Sequence, residues 1–152
     1  MDNLNFQYCQ KIVVFSKDLK SILLCKRKGE NDYDRMYSFI GGKMETGDGS
    51  FIRGLEREKN EEIGHNCKIK IYVDFTTNVL FVKKSGDSMV LPHYYAEHIE
   101  GEIALDDEYS DYKWVEVNNL KDFEPKIPTI LDVVEKILKI RDIIVSGQSM
   151  II

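Results

Sequence analysis

Short apolar runs separated by polar turns open this chain. Lys11–Phe15 is the first, Lys17 to Lys20 turns, and Ser21–Arg27 returns, so the pair reads as a β-hairpin. A polar loop over 29–35 leads to a third strand-like run, Met36–Ile40. The period then changes. Ser50 is a suitable helix N-cap and Gly64 a suitable stop, with Phe51, Leu55 and Ile63 supplying a core-facing side between them. Lys68–Val73 alternates as a half-buried strand does, and 75–83 continues in β-rich residues. A turn at 85–88 precedes a return strand over 89–99, where Pro92 points to an irregularity or an edge. The last strand is 112–117. Pro128 suits the first turn of a closing helix, in which Ile130, Leu131, Val134, Ile137, Leu138 and Ile140 recur at helical spacing. The pattern predicts strands, one helix, more strands and one helix in a single domain over 1–144. A tail follows over 145–152, loose or partner-binding.

Composition narrows the class. At 152 residues, 43% hydrophobic and 31% charged, the chain is an ordinary globular domain with room for a core. A net charge of −5 argues against general nucleic-acid binding, which favours basic surfaces, but not against a nucleotide. Cys9, Cys25 and Cys67 are odd in number and lack CxxC spacing, so they read as reduced thiols. The first residues lack a signal peptide's basic start, and no apolar run approaches transmembrane length, so a cytoplasmic protein without membrane contact is expected.

One helix carries candidate chemistry. Glu58, Glu61 and Glu62 are spaced i, i+3, i+4, which puts three carboxylates on one stripe. They repel one another unless a cation lies between them, and hard divalent ions take oxygen ligands of this kind. An acidic stripe alone is more often a solvated face. Here, however, Gly41-Gly42-Lys43-Met44-Glu45-Thr46-Gly47-Asp48 precedes the helix directly. Strand, glycine loop and acidic helix together suit phosphate and metal. Gly54 in mid-helix is costly by propensity and has no reason visible in the sequence.

These residues resemble the Nudix hydrolase signature, Gly-x5-Glu-x7-Arg-Glu-U-x-Glu-Glu-x-Gly-U, where U is bulky and apolar. Gly42, Arg57, Glu58, Glu61, Glu62 and Gly64 match, and Gly41 supplies the usual double glycine. Four departures stand out. Asp48 replaces Glu, one extra residue separates it from Arg57, and Lys59 and His65 occupy the two apolar positions. The extra residue is placed near Gly47-Asp48-Gly49, and Lys59 is expected to lay its stem on the core and reach water.

The resemblance implies the family's α/β/α sandwich, a mixed sheet between helices. It implies Mg²⁺, with Mn²⁺ as a substitute, held by Glu58, Glu61, Glu62 and the Gly41 carbonyl. Arg57 would orient Glu58 or Glu61, or stand as a surface salt bridge. Glu108, six residues before Trp114, resembles an acidic position of the MutT branch and is a base, a further ligand or a solvated loop residue. Arg27 and Lys43 either reach phosphate or are surface cations. Phe39, Phe75, Tyr94 and Tyr95 either stack on a base or fill the core. His65, His93 and His98 show no metal spacing and read as structural or surface residues. The implied activity is hydrolysis of a nucleoside diphosphate linked to a group X, foremost a MutT-like conversion of NTP to NMP and pyrophosphate. Dinucleoside polyphosphates, nucleotide sugars, RNA 5′ ends and a non-catalytic nucleotide sensor are the alternatives. The expected partner is a small nucleotide, met by a monomer or homodimer. Lys126-Ile127-Pro128 stands where MutT enzymes selecting 8-oxoguanine carry Asn, so oxidised guanine is not expected. Ile40 replaces the Pro that often precedes the double glycine.

Overall fold

The computed structural model describes residues 3–144 and 149–152. Its elements are β1 (Phe6–Tyr8), β2 (Lys11–Phe15), β3 (Ser21–Arg27), β4 (Tyr37–Ser38), α1 (Phe51–Ile63), β5 (Lys68–Val82), β6 (Ser88–Glu100), β7 (Tyr109–Glu116), α2 (Ile130–Ile143) and β8 (Ser149–Ile151). Strands order as β4-β3-β2-β6-β5-β8, with β1 on β6 and β7 on β3. The β2–β6 and β1–β6 pairs are parallel and the others antiparallel, so the sheet is mixed.

Alternation explains the layers. In β2 and β3, Ile12, Val14, Leu23 and Cys25 pack with Leu55 and Ile63 of α1. Their neighbours Val13, Phe15, Ile22 and Leu24 pack with Ile130, Val133, Val134 and Ile137 of α2. Successive strand side chains point to opposite faces, so the continuous apolar runs Ile12–Phe15 and Ile22–Cys25 must be covered on both sides. Two helices on opposite faces do so, giving the α/β/α sandwich. Each buried Leu or Ile contributes roughly 1.5–3 kcal/mol of transfer free energy.

Several expectations change. Met36–Ile40 forms only a two-residue strand, because Ile40 turns to a single bridge with Ile12. The runs at 68–73 and 75–83 join into one strand whose register shifts between Ile71 and Thr76. Pro92 lies on central β6, not on an edge. Pairing with β1 ends at Val90 and pairing with β2 starts at His93, so the missing N–H falls where no partner needs it. Phe51 is 59% exposed and leans on Tyr8 (centroids 5.3 Å apart), and Leu131 is also exposed. At 149–152 the chain is docked, not loose: β8 pairs with β5, and Ile69 and Ile152 exchange backbone hydrogen bonds while Ile152 is buried. The rest of the tail, 145–148, lies outside the described residues. No helix among the described residues is long and apolar enough to cross a membrane.

Candidate active site

The glycine loop is pinned to the end of β1 and the residues that lead into β2. Gln10 N–H donates to the Gly42 carbonyl at 3.0 Å, and Met44 N–H donates to the Tyr8 carbonyl at 3.0 Å. Gly41 adopts φ +123°, and a Cβ there would strike the Gln10 carbonyl. A Cβ on Gly42 would fall among the carboxylate atoms of Glu58. Both glycines are therefore required by close approach, one to a strand and one to an acid.

Arg57 organises the acids. Its Nε donates to Asp48 Oδ1 at 2.7 Å and its Nη2 to Asp48 Oδ2 at 3.0 Å, a bidentate pair. Its Nη1 donates to Glu58 Oε1 at 2.7 Å and Glu61 Oε2 at 3.3 Å, while Nη2 also donates to the Lys43 carbonyl at 3.0 Å. The bidentate partner is thus Asp48, with single bonds to Glu58 and Glu61. Asp48 is further held by the Glu45 N–H at 2.8 Å, and its hydrogen bonds from Arg57 draw its carboxyl down to about 2. The turn where the extra residue is placed runs through Gly49 at φ +72°. Gly54 now has a reason: a Cβ would come within 2.8 Å of Gln10 Oε1 and 3.1 Å of Asp48 Oδ2.

Glu62 is 2% exposed. Its Oε2 accepts from the Gly41 N–H at 2.5 Å and its Oε1 from the Tyr109 hydroxyl at 3.2 Å. Burial pushes its carboxyl up to about 8, with Lys11 opposing and Glu58 and Glu108 adding repulsion. Burial also raises Glu58, against the pull of Arg57. Glu108, on the loop before β7, is raised by burial and by Asp106 and Glu30. Burial holds the His93 imidazole down at about 4, and its Nδ1 faces the Leu91 carbonyl at 2.8 Å.

Glu58, Glu61, Glu62 and Glu108 line one cavity of about 420 Å³, with Asp48 behind Arg57 and outside the lining. Arg27 and Lys43, both singled out from sequence, line it too. Arg27 sits at the end of β3, tied to the Asp32 carbonyl (3.3 Å) and to Glu30 (3.4 Å). Phe39 forms part of the core and also of the wall, edge-on to His93 with centroids 5.6 Å apart. Tyr94 and Tyr95 are core residues. Reading the sequence missed much of the remaining wall, including Lys11, Met89, Leu91, His93, Val79 and Phe81. These lie on β2, β5 and β6, where the apolar pattern signals only a strand. Lys59 departs from expectation. It is fully buried, and its Nζ donates to the carbonyls of Gly64 (3.2 Å) and Cys67 (3.0 Å) rather than to water. These carbonyls lie at and just beyond the end of α1, where orphan acceptors need a donor.

The NUDIX domain model matches residues 7–134. The chain belongs to the NUDIX domain family. Among solved structures, a MutT protein from Methanosarcina mazei is 18% identical, with TM-score 0.76, covering 93% of this chain and 99% of that one. The NUDIX domain of Shewanella oneidensis NrtR, solved with ADP ribose, is 18% identical with TM-score 0.70, covering 90% and 89%. A C. elegans Ap4A hydrolase is 18% identical with TM-score 0.63, covering 76% and 84%. No curated protein matches the chain significantly. At these identities the solved structures speak for the NUDIX fold alone.

NUDIX hydrolases generally use a divalent metal. The donors here suit one: carboxylates of Glu58, Glu61 and Glu62, with the Gly41 carbonyl beside them, are all oxygen and crowd one another. Among the described residues no three carboxylate, His or Cys side chains already converge as a cage. Arg57, Gly41 and Tyr109 hold the acids in the meantime.

Proposed function

We propose that this protein is a Mg²⁺-dependent hydrolase of nucleoside diphosphates linked to a further group, foremost a nucleoside triphosphate pyrophosphatase releasing NMP and pyrophosphate. One observation carries the reading: the Arg57-organised carboxylates, the glycine loop and the cations Arg27 and Lys43 line one cavity together with Phe39, Met89 and Leu91. A polyphosphate suits the charged groups, and a nucleoside suits the apolar ones.

The bound metal supplies charge neutralisation and an acidified water. Glu58, Glu61, Glu62 and the Gly41 carbonyl would hold it. The protein's own residues do the rest. Arg57 keeps Glu58 and Glu61 turned towards the loop and fixes the loop itself through Asp48 and the Lys43 carbonyl. Arg27 and Lys43 bind phosphate oxygens and orient the chain of phosphates. Glu108, exposed on the loop before β7 and raised above an ordinary carboxyl by desolvation and by Asp106 and Glu30, takes the proton of the attacking water. Water breaks one phosphoanhydride, and the departing phosphate keeps the bond's electron pair.

The test is product analysis across a panel of NTPs, dinucleoside polyphosphates, nucleotide sugars and 5′-triphosphate RNA, with and without Mg²⁺. Mg²⁺-dependent NMP and pyrophosphate from an NTP is the expected result. Tight nucleotide binding with no cleavage would make the protein a sensor instead.

A further inference from the structure

Lys11 is the unexpected group in the acid cluster. It opens β2, and both its neighbours are bonded to the glycine loop: Gln10 N–H to the Gly42 carbonyl, Ile12 N–H to the Ile40 carbonyl, each at 3.0 Å. The side chain therefore rises beside residue 41. Its Nζ donates to the Gly41 carbonyl at 2.8 Å. That oxygen is the backbone donor expected to serve a metal. The N–H of the same residue donates to Glu62 Oε2, so residue 41 meets the cation through one backbone group and an acid through the other. The ammonium is also close enough for its charge to act on Glu62, Glu108 and His93.

A backbone carbonyl in a carboxylate-lined cavity is a seat for a cation, and here a cation of the protein donates to it. An ammonium has three donors in a compact head, so one bond to Gly41 leaves two for carboxylate or phosphate oxygens. Arg57 likewise serves Glu58 and Glu61 on the other side of the cluster. The acids are thus divided between two resident cations.

We propose that the Lys11 ammonium is a built-in cation of this site: it uses one lone pair of the Gly41 carbonyl, leaves the other for the metal held with Glu58, Glu61 and Glu62, and takes the place of one further divalent ion. The site then takes fewer metal ions than its oxygen donors would allow. This rests on reading the cavity as a metal-dependent hydrolase centre. A competing role, in which Lys11 only grips substrate phosphate, leaves the metal count untouched.

The experiment is Mn²⁺ binding to the metal-free full chain, counted by the free-ion electron paramagnetic resonance signal and by calorimetry. Wild type is compared with Lys11→Met and Lys11→Arg, all checked for folding by circular dichroism. Lys11→Met is expected to bind about one further Mn²⁺ per chain, because a positive charge has left a carboxylate-lined site. Lys11→Arg, keeping the charge, should bind as wild type does. An equal number of Mn²⁺ ions in wild type and Lys11→Met, whatever the affinity, would overturn the inference. So would an increase shared by Lys11→Arg, which would make it a matter of shape. Should Lys11→Met fail to fold, Lys11→Gln replaces it under the same criteria. If the panel shows hydrolysis and the Mn²⁺ count does not move, only this inference falls. If the count moves and no nucleotide is cleaved, the hydrolase reading falls and Lys11's role stands.

Discussion

Mg²⁺ binding at pH 7 should expel a proton, and Glu62 should be its source. Glu62 is buried, and burial lifts its carboxyl to about 8 in the metal-free protein. With that value, roughly nine tenths of the protein carries a proton on Glu62 at pH 7. A carboxyl must lose that proton to ligate a cation. Binding should therefore release about 0.9 proton per chain at pH 7, falling to about a tenth near pH 9. Apparent affinity should rise nearly tenfold per pH unit up to about pH 8 and then level. Calorimetry in buffers of different ionisation enthalpy reads the proton count directly. Glu62→Gln should abolish the release and weaken binding. Stability without metal follows the same linkage. The folded-state carboxyl is raised above its unfolded value of about 4.3, so its contribution is full below that pH. It is lost as pH rises through about 8. Proton-free binding at pH 7 would refute Glu62 as a protonated ligand, even if Mg²⁺ bound well.

Further outcomes follow from the same geometry. Lys59→Leu, although it restores the family's apolar residue, should destabilise by about 1–3 kcal/mol in denaturant melts, because two carbonyls at the end of α1 lose their buried donor. An unchanged midpoint would mean that apolar packing fully compensates. Asp48→Asn should blunt the acid limb of stability: Arg57 draws Asp48 down to about 2, so its contribution is present above about 3.9 and lost as pH falls through 2. Identical acid melts for the two proteins would deny that link. Glu108→Gln should cut kcat by at least about tenfold at unchanged Mg²⁺ dependence if Glu108 is the base. Recovery of the variant at high Mg²⁺ would make Glu108 a metal ligand instead.

How far the sequence spoke depends on whether a feature is local. The spacing of Glu58, Glu61 and Glu62 and the double glycine are local, and they pointed to the helix face and loop that now meet. Both helices and most strands were legible because apolar spacing registers burial directly. Lys11 was not legible. It stands ahead of an apolar strand, and only the bridges from β2 to the glycine loop bring it to Gly41. Lys59 was misread because the carbonyls it meets come from the turn after the helix, and a lysine says nothing in sequence about buried acceptors. Pro92 left an irregularity and an edge both open, and only the fold shows that it marks the place where β6 changes partner. Asp48 stood in the sequence only as a departure from the signature's Glu, with its role open, and in the fold its side chain takes the bidentate grip of Arg57.

The most direct test of the central claim is the nucleotide panel run on wild type beside Glu58→Gln and Glu61→Gln at saturating Mg²⁺. Wild type should release NMP and pyrophosphate from an NTP only when Mg²⁺ is present. Each variant should lose at least about two orders of magnitude in kcat while its melting temperature holds. Wild-type cleavage without Mg²⁺, or near-full activity in either variant, would contradict the assignment of this cavity as a metal-dependent hydrolase site.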